Sequence, residues 1–212
     1  MALISYLIGV PRYKDTTLED VMKIEKYCSW KKNKEINKEN SNLILKEWCG
    51  MSENELPSKD VIEFYEKYYE KRNMFDAMLG WGSYYNITSQ LARIVKANHI
   101  HNWFVKKLMN GKQDEKYHEV SRDQLVELLE LCEEVYNKGI EYLGKDKYGD
   151  PEYKVNAEIA KDKLPIMSGF MFGPTEYDSG YAILLVEAAQ TIAEILDRTN
   201  FEEYAIYYIA TY

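Results

Sequence analysis

Apolar positions recur at helical spacing through most of the chain. The clearest case follows Ser121, where apolar residues fall at the i, i+3, i+4 and i+7 positions until Gly144 ends the pattern. Ser121 and Gln124 have the spacing of a capping box at the start of this helix. The same criteria predict further helices over Thr17–Trp30, after Ser58 and over Glu176–Arg198, the last capped by Thr175.

One predicted helix is apolar around almost its whole circumference. It runs from about Tyr85 to Met109 and is stopped by Asn110 and Gly111. A helix with so little polar surface is usually central in its domain. Between the Ser121 helix and the next apolar segment, residues 145–163 are charged and predict a connector, with room for one short helical stretch.

Both ends of the chain predict strands. Ala2–Val10 is an apolar run ended by Pro11, and Tyr204–Tyr212 is β-branched and aromatic. The C-terminal strand has two natural partners, the N-terminal strand and Ile166–Phe172. We therefore expect an α+β, mostly α fold, with a core of about four to five helices. Its small sheet is expected to consist of the N-terminal, Ile166–Phe172 and C-terminal segments.

Composition narrows the classes of function. The net charge of −8 argues against non-specific nucleic-acid binding, which needs a basic surface. The 19 tyrosines among 212 residues give large contact areas with a polar tip, and such surfaces often bind other molecules. An AT-rich genome would also enrich tyrosine. The 3 cysteines lack CxxC spacing and indicate reduced thiols.

The N-terminal apolar run predicts a strand rather than a signal peptide. It is only about ten residues long, which is too short for a membrane span, and no basic region precedes it. No other stretch predicts a transmembrane helix. We therefore expect a cytoplasmic protein with no membrane partner.

The first candidate site lies on the long apolar helix. There Arg93 and His101 would share one stripe at i+4 steps, and Trp103 would lie on a neighbouring stripe. A guanidinium, an imidazole and an indole close together can hold a phosphate and stack a base. In the alternative, Arg93 pairs with a carboxylate of another helix and His101 hydrogen-bonds in the core.

The second candidate is the aromatic turn LPIMSGFMFGPTEYDSGY, residues Leu164–Tyr181. Ser168 offers a backbone N–H group, and Phe170 and Tyr177 offer stacking faces. The acidic residues at the start of the next helix would repel a phosphate, so we expect a base or a sugar here. The alternative is a turn from sheet to helix that closes the core.

The sequence carries no motif for catalysis, metal or cofactor binding. His99 and His101 would point about 200° apart on a helix and could not share one metal ion. HExxH motifs, Cys/His clusters, GxSxG and GxxxxGK[ST] are all missing from the sequence. We therefore expect no catalytic residue, no metal and no cofactor.

Four segments carry a family resemblance. They are IHNWFV (Ile100–Val105, with Arg93 upstream), YHEVSRDQLVELLELC (Tyr117–Cys132), the aromatic turn, and the closing FEEYAIYYIATY. Together they resemble a widespread family of small uncharacterised proteins of tailed bacteriophages and prophages. The resemblance extends from about Trp81 to the C-terminus. We therefore expect a single domain over residues 1–212, with 1–80 as a variable N-terminal region and 81–212 as the family-like core.

The resemblance implies a phage or prophage accessory protein that acts in the host cytoplasm, and such proteins often act against host defence. Our leading hypothesis is sequestration of a small nucleotide-derived signal, with six ligand-binding residues. They are Arg93, His101, Trp103, Ser168, Phe170 and Tyr177. One alternative is a protein-binding inhibitor of a host defence enzyme, with a contact surface formed by the tyrosine-rich helices around Tyr65, Tyr68, Tyr69, Tyr84 and Tyr85. Another is a nucleotide hydrolase with His101 or His118 as general base. A homo-oligomer is left open.

Overall fold

The computed structural model describes residues 2–36, 45, 50–79, 87–169 and 171–212. They divide into two compact units, one of residues 1–9 and 90–212 and one of residues 10–89. The helices are α1 (Leu18–Ile36), α2 (Lys59–Leu79), α3 (Asn98–Leu108), α4 (Arg122–Gly139), α5 (Ala157–Lys163) and α6 (Ser179–Arg198). The strands are β1 (Ile4–Pro11), β2 (Ser89–Val95), β3 (His118–Val120), β4 (Ile140–Lys145), β5 (Pro151–Val155) and β6 (Tyr204–Thr211).

A four-stranded sheet with the order β2-β1-β6-β3 forms one layer of the larger unit. The two strands at the ends of the chain lie side by side at its centre, and β3 runs antiparallel to β6 with Val120 opposite Ile206. The fold is α+β and mostly α, as predicted, and both chain ends enter one small sheet.

The described residues of Ile166–Phe172 form no strand, and this part of the prediction was wrong. Its expected place in the sheet is taken by β2 and β3. Met171 has φ +56° and Gly173 has φ +123°, conformations that an extended strand does not adopt. A backbone hydrogen bond from Leu3 N to Met171 O, at 3.4 Å, joins this loop to the chain just before β1.

The helix predicted over Tyr85–Met109 is also wrong, because the described part of this segment forms β2 and then α3. Lys96 separates the two elements. It has φ +61°, and its N–H donates to Leu3 O at 3.0 Å, which holds the end of β2 beside β1. The spacing of apolar residues predicted one helix because β2 and α3 both bury apolar side chains in the same core. A strand followed directly by a helix then has the apolar pattern of a single buried helix.

The helix after Ser121 ends at Gly139, earlier than predicted, and the chain passes directly into the hairpin β4–β5. The predicted terminator Gly144 lies instead at an irregularity in this hairpin, with φ +119°. The capping box is confirmed. Gln124 N donates to Ser121 Oγ at 3.2 Å, and Ser121 N donates to Gln124 Oε1 at 2.9 Å.

α6 packs against α4 and β5 in the larger unit. Its N-cap is Asp178, whose Oδ1 accepts from Tyr181 N at 3.1 Å, and the predicted cap Thr175 lies before the helix. Within the described residues, α6 alone is long and apolar enough to cross a membrane. About a third of its apolar stretch is buried in the structure, and six of its residues are buried. They are Tyr181, Ala182, Leu185, Ala188, Ile192 and Ile195.

The smaller unit is built on the contact between α1 and α2. Tyr13 stacks on Phe64 with ring centroids 4.1 Å apart, and the Tyr65 hydroxyl donates to Pro11 O at 2.8 Å. Of the five tyrosines predicted as a contact surface, Tyr65 and Tyr69 are 1% and 7% exposed and are therefore interior residues of this unit. Tyr68 is half-buried, and Tyr84 and Tyr85 lie outside the described residues, so a tyrosine contact surface stays a prediction.

Candidate functional site

The structure disperses the predicted ligand-binding residues. Arg93 lies on β2, His101 and Trp103 lie on α3, and Ser168 and Tyr177 lie in the loop before α6. The structure has an open cavity next to β2, and of these five residues Arg93 alone lines it. The sixth, Phe170, lies outside the described residues.

His101 is fully buried and belongs to a chain of hydrogen bonds. Gln113 Nε2 has only protons to offer, so it donates to His101 Nε2 at 3.1 Å. The ring proton is then on Nδ1 and is donated to Tyr208 Oη at 2.7 Å, which leaves the Tyr208 proton for Ser5 Oγ at 2.8 Å. Burial lowers the pKa of His101 to about 4, so the ring is neutral at pH 7.

His101 is therefore hydrogen-bonded inside the core, which was the alternative to a ligand-binding role. The ring touches other aromatic rings, with centroids 5.9 Å from Phe172 and 6.0 Å from Tyr212. Both of its nitrogens have protein partners, and the side chain is closed to solvent. His101 is therefore not placed to act as a general base on a substrate.

The Tyr208→Phe variant is expected to lower the free energy of unfolding by about 1–3 kcal/mol, because His101 Nδ1 and Ser5 Oγ lose their common partner in the interior. Tyr212→Phe is the matched control, since its hydroxyl has no hydrogen bond to the described residues. Its effect is expected to stay within about 0.5 kcal/mol. Urea unfolding measures both, and equal losses would contradict this account of the network.

His99 is the second buried imidazole of α3. Neither of its nitrogens has a hydrogen-bond partner among the described residues, and its ring centroid lies 4.3 Å from that of Tyr181. Burial lowers its pKa to about 3. His99 is therefore an uncharged packing residue at pH 7.

The described part of the aromatic turn closes the core. Asn98 Nδ2 donates to Pro174 O and Asn102 Nδ2 donates to Pro165 O, both at 2.8 Å, so two side chains of α3 hold the loop. Phe172 is buried in the same core. These contacts give the turn a structural role, and Met171, Gly173 and Pro174 of the same turn also line a cavity beside β2.

The remaining predicted residues do not form a stacking site. Trp103 is buried with its ring against Phe104, at 5.1 Å between centroids. The Tyr177 hydroxyl accepts from Ile166 N at 3.1 Å, and Lys161 Nζ lies 5.6 Å from the centre of the Tyr177 ring. Ser168 is exposed, and it does not line the cavity beside β2.

An open cavity of about 790 Å³ adjoins β2, and its size is that of a ligand site. Three segments line it. The end of β2 with the turn after it contributes residues 93–96, the loop before α6 contributes Met171, Gly173 and Pro174, and α6 contributes one face. That face consists of Leu184, Glu187, Ala188 and Thr191, which recur at i, i+3, i+4 and i+7.

Arg93 and Lys96 give the lining two positive charges. Both residues are exposed, and within the described part of the chain neither side chain has a hydrogen bond or an ion pair. Among these residues no carboxylate of another helix pairs with Arg93, so the structure gives no support to that alternative. Glu187 is the carboxylate in the lining. The lining therefore combines two cationic side chains, which have no partner among the described residues, with one carboxylate.

Sequence reasoning missed that Lys96 and the Leu184–Thr191 face of α6 belong to this site. The sequence from Leu91 to Val95 has two apolar residues on each side of Arg93, which is not the strict alternation of a half-buried strand, so periodicity did not identify β2. No local signal brings α6 to β2. Among the described residues, no group of three His, Cys, Asp or Glu side chains could hold a metal ion.

The chain was compared with models of protein families, with curated proteins and with solved structures, and none of them matches. The candidate site is therefore defined by its own geometry and charge.

Proposed function

We propose that this chain is a binding protein, and that a segment of a partner protein occupies the cavity beside β2. The observation that carries the proposal is that Arg93 and Lys96, which have no partner among the described residues, share one open cavity with apolar residues of the loop and of α6. These apolar residues are Met171, Pro174, Leu184 and Ala188. Interfaces combine apolar contact with a few charged groups in this way.

The composition of the lining favours a protein segment over a nucleotide. Nucleobases are commonly held on aromatic faces, and the described lining has none. Acidic side chains of a partner match Arg93 and Lys96, and its apolar side chains match Met171 and Leu184. Sequestration of a nucleotide-derived signal stays a prediction, and calorimetry with cyclic nucleotides and cyclic ADP-ribose isomers tests it directly.

The biological setting of the proposal comes from the sequence resemblance. Resemblance to phage and prophage proteins supports action inside an infected host cell, in its cytoplasm. It also supports a host defence enzyme as the partner, with the chain acting as its inhibitor.

Capture from infected host cells tests this function. The wild-type chain is expected to retain a stoichiometric host protein, and the Arg93→Gln/Lys96→Gln variant is expected to bind it at least tenfold more weakly, a loss of about 1.4 kcal/mol. Glutamine keeps much of the side-chain length and removes the charge.

Lys106→Gln is the matched control, since Lys106 is an exposed lysine of α3 outside the cavity. It should bind as the wild type does. Capture that is unchanged in the double variant would place the interface elsewhere. Heat from a nucleotide, abolished by the same double variant, would favour the nucleotide hypothesis instead.

A further inference from the structure

We propose that the partner segment binds as an added β-strand along the edge of β2, with acidic side chains toward Arg93 and Lys96. This inference rests on the proposed use of the cavity for a partner protein. It specifies the backbone conformation of the segment, its charge and its approximate length.

β2 is an edge strand. In the sheet of the described residues its sole neighbour is β1, and an edge strand leaves a row of N–H and C=O groups for another chain. The Lys96 N–H is directed to β1, because it donates to Leu3 O. Backbone groups alternate in direction along an extended strand, so those of Arg93 and Val95 are directed away from β1.

The lining itself has the form of a strand edge. The four consecutive residues from Arg93 to Lys96 all line the cavity. One face of a sheet would present alternate residues, whereas an edge presents consecutive ones. The cavity is therefore open to the backbone of β2 as well as to its side chains.

α6 supplies the second wall that such a site needs. Leu184 and Ala188 are apolar, and Glu187 and Thr191 add polar groups on the same helix face. A groove between a strand edge and a helix binds extended peptides: main-chain hydrogen bonds provide affinity, and alternate side chains provide specificity. Four residues of strand span about 13 Å, so the partner contributes a segment of about four residues.

Charge selects an acidic partner over a second copy of this chain. Arg93 and Lys96 attract carboxylates to an edge that belongs to a chain of net charge −8. Antiparallel pairing of two β2 edges would bring the same cations of two copies together, and like charges opposite one another destabilise a strand pair.

The test uses the full chain and three blocked hexapeptides. The first peptide alternates glutamate and valine, and the second has lysine in place of glutamate. The third has the sequence of the first, but every second amide is N-methylated, so that the amides that would hydrogen-bond to β2 have no proton. Hydrogen exchange followed by NMR reports on the β2 amides. The first peptide is expected to slow exchange of the Arg93 and Val95 amides at least tenfold, and the other two are expected to bind at least tenfold more weakly.

Arg93→Gln and Lys96→Gln should each weaken the first peptide, and Lys106→Gln should not. Equal binding of the N-methylated peptide would overturn strand addition and leave the proposed function standing. Protection of the same amides that rises with protein concentration, without peptide, would assign the edge to a second copy. No binding of any peptide would also overturn the inference. The proposed function fails separately, when capture of the host protein does not depend on Arg93 and Lys96.

Discussion

Acidification from pH 7 to pH 5 is expected to lower the free energy of unfolding by about 4 kcal/mol, about 2 kcal/mol from each of His99 and His101. Burial lowers the pKa of His99 to about 3 and that of His101 to about 4, from an ordinary value of 6.5. Domains are stable by about 5–15 kcal/mol, so the loss is a large fraction of the total.

The sign follows from proton binding. As the pH falls through 6.5, both imidazoles of the unfolded chain take up a proton, whereas the folded chain keeps them neutral. The unfolded state then binds more protons, so the stability present above pH 6.5 is lost progressively as the pH falls. The pKa is also lowered for the carboxyl groups of Asp60, Asp114 and Glu134, whose ordinary pKa values are 3.8, 3.8 and 4.5. These groups therefore reduce the free energy of unfolding mainly at lower pH than the two imidazoles do.

The His99→Phe variant separates the two imidazoles. A phenyl ring keeps the contact with Tyr181 and removes two buried nitrogens that have no partner among the described residues. About half of the loss between pH 7 and pH 5 should disappear, and stability at pH 7 should hold or rise. Urea unfolding at pH 7, 6 and 5 measures this. An unchanged slope in the variant, or NMR signals of the His99 or His101 imidazole in the folded protein that titrate above pH 5, would contradict it.

Local signals identified the elements that the sequence could predict. The Ser121 capping box needs only two side chains three residues apart, and the structure contains it. The terminal strands have β-branched and aromatic composition, which also acts locally. The boundary between β2 and α3 depends on Lys96, whose N–H pairs with Leu3, a residue far away in the chain. Such a contact leaves no periodic signal.

The candidate site was predictable only in part, for the same reason. Arg93 was identifiable as a charge within an apolar run, although its expected helix is a strand. Its companions depend on tertiary structure, since α6 and the loop that contains Gly173 reach β2 through folding alone. His101 and Trp103 were correctly placed on a helix, but their polar and aromatic groups are used inside the core.

Gly173→Ala is expected to lower the free energy of unfolding by about 3–5 kcal/mol, through a clash and through backbone strain. An alanine Cβ would overlap Lys96 O and would lie 2.9 Å from Lys96 C, and both of these are backbone atoms. Lys96 cannot move aside easily, because its N–H is bonded to Leu3 and its O accepts from Asn98 N at 2.9 Å. Gly173 also has φ +123°, which a residue with a Cβ rarely adopts.

Gly144→Ala isolates the strain from the clash. Gly144 has nearly the same φ, +119°, but a Cβ there would meet nothing within 4 Å, so this variant should lose only about 1–2 kcal/mol. Urea unfolding compares the two, and equal losses would show that the approach of Gly173 to Lys96 does not hold this loop in place. Gly173 and Lys96 both line the cavity, so Gly173→Ala should also weaken partner capture under conditions where the variant stays folded. Gly144 does not line the cavity, and Gly144→Ala should leave capture unchanged. Weaker capture in the first variant alone would tie the binding function to the position of this loop, and normal capture in both would separate them.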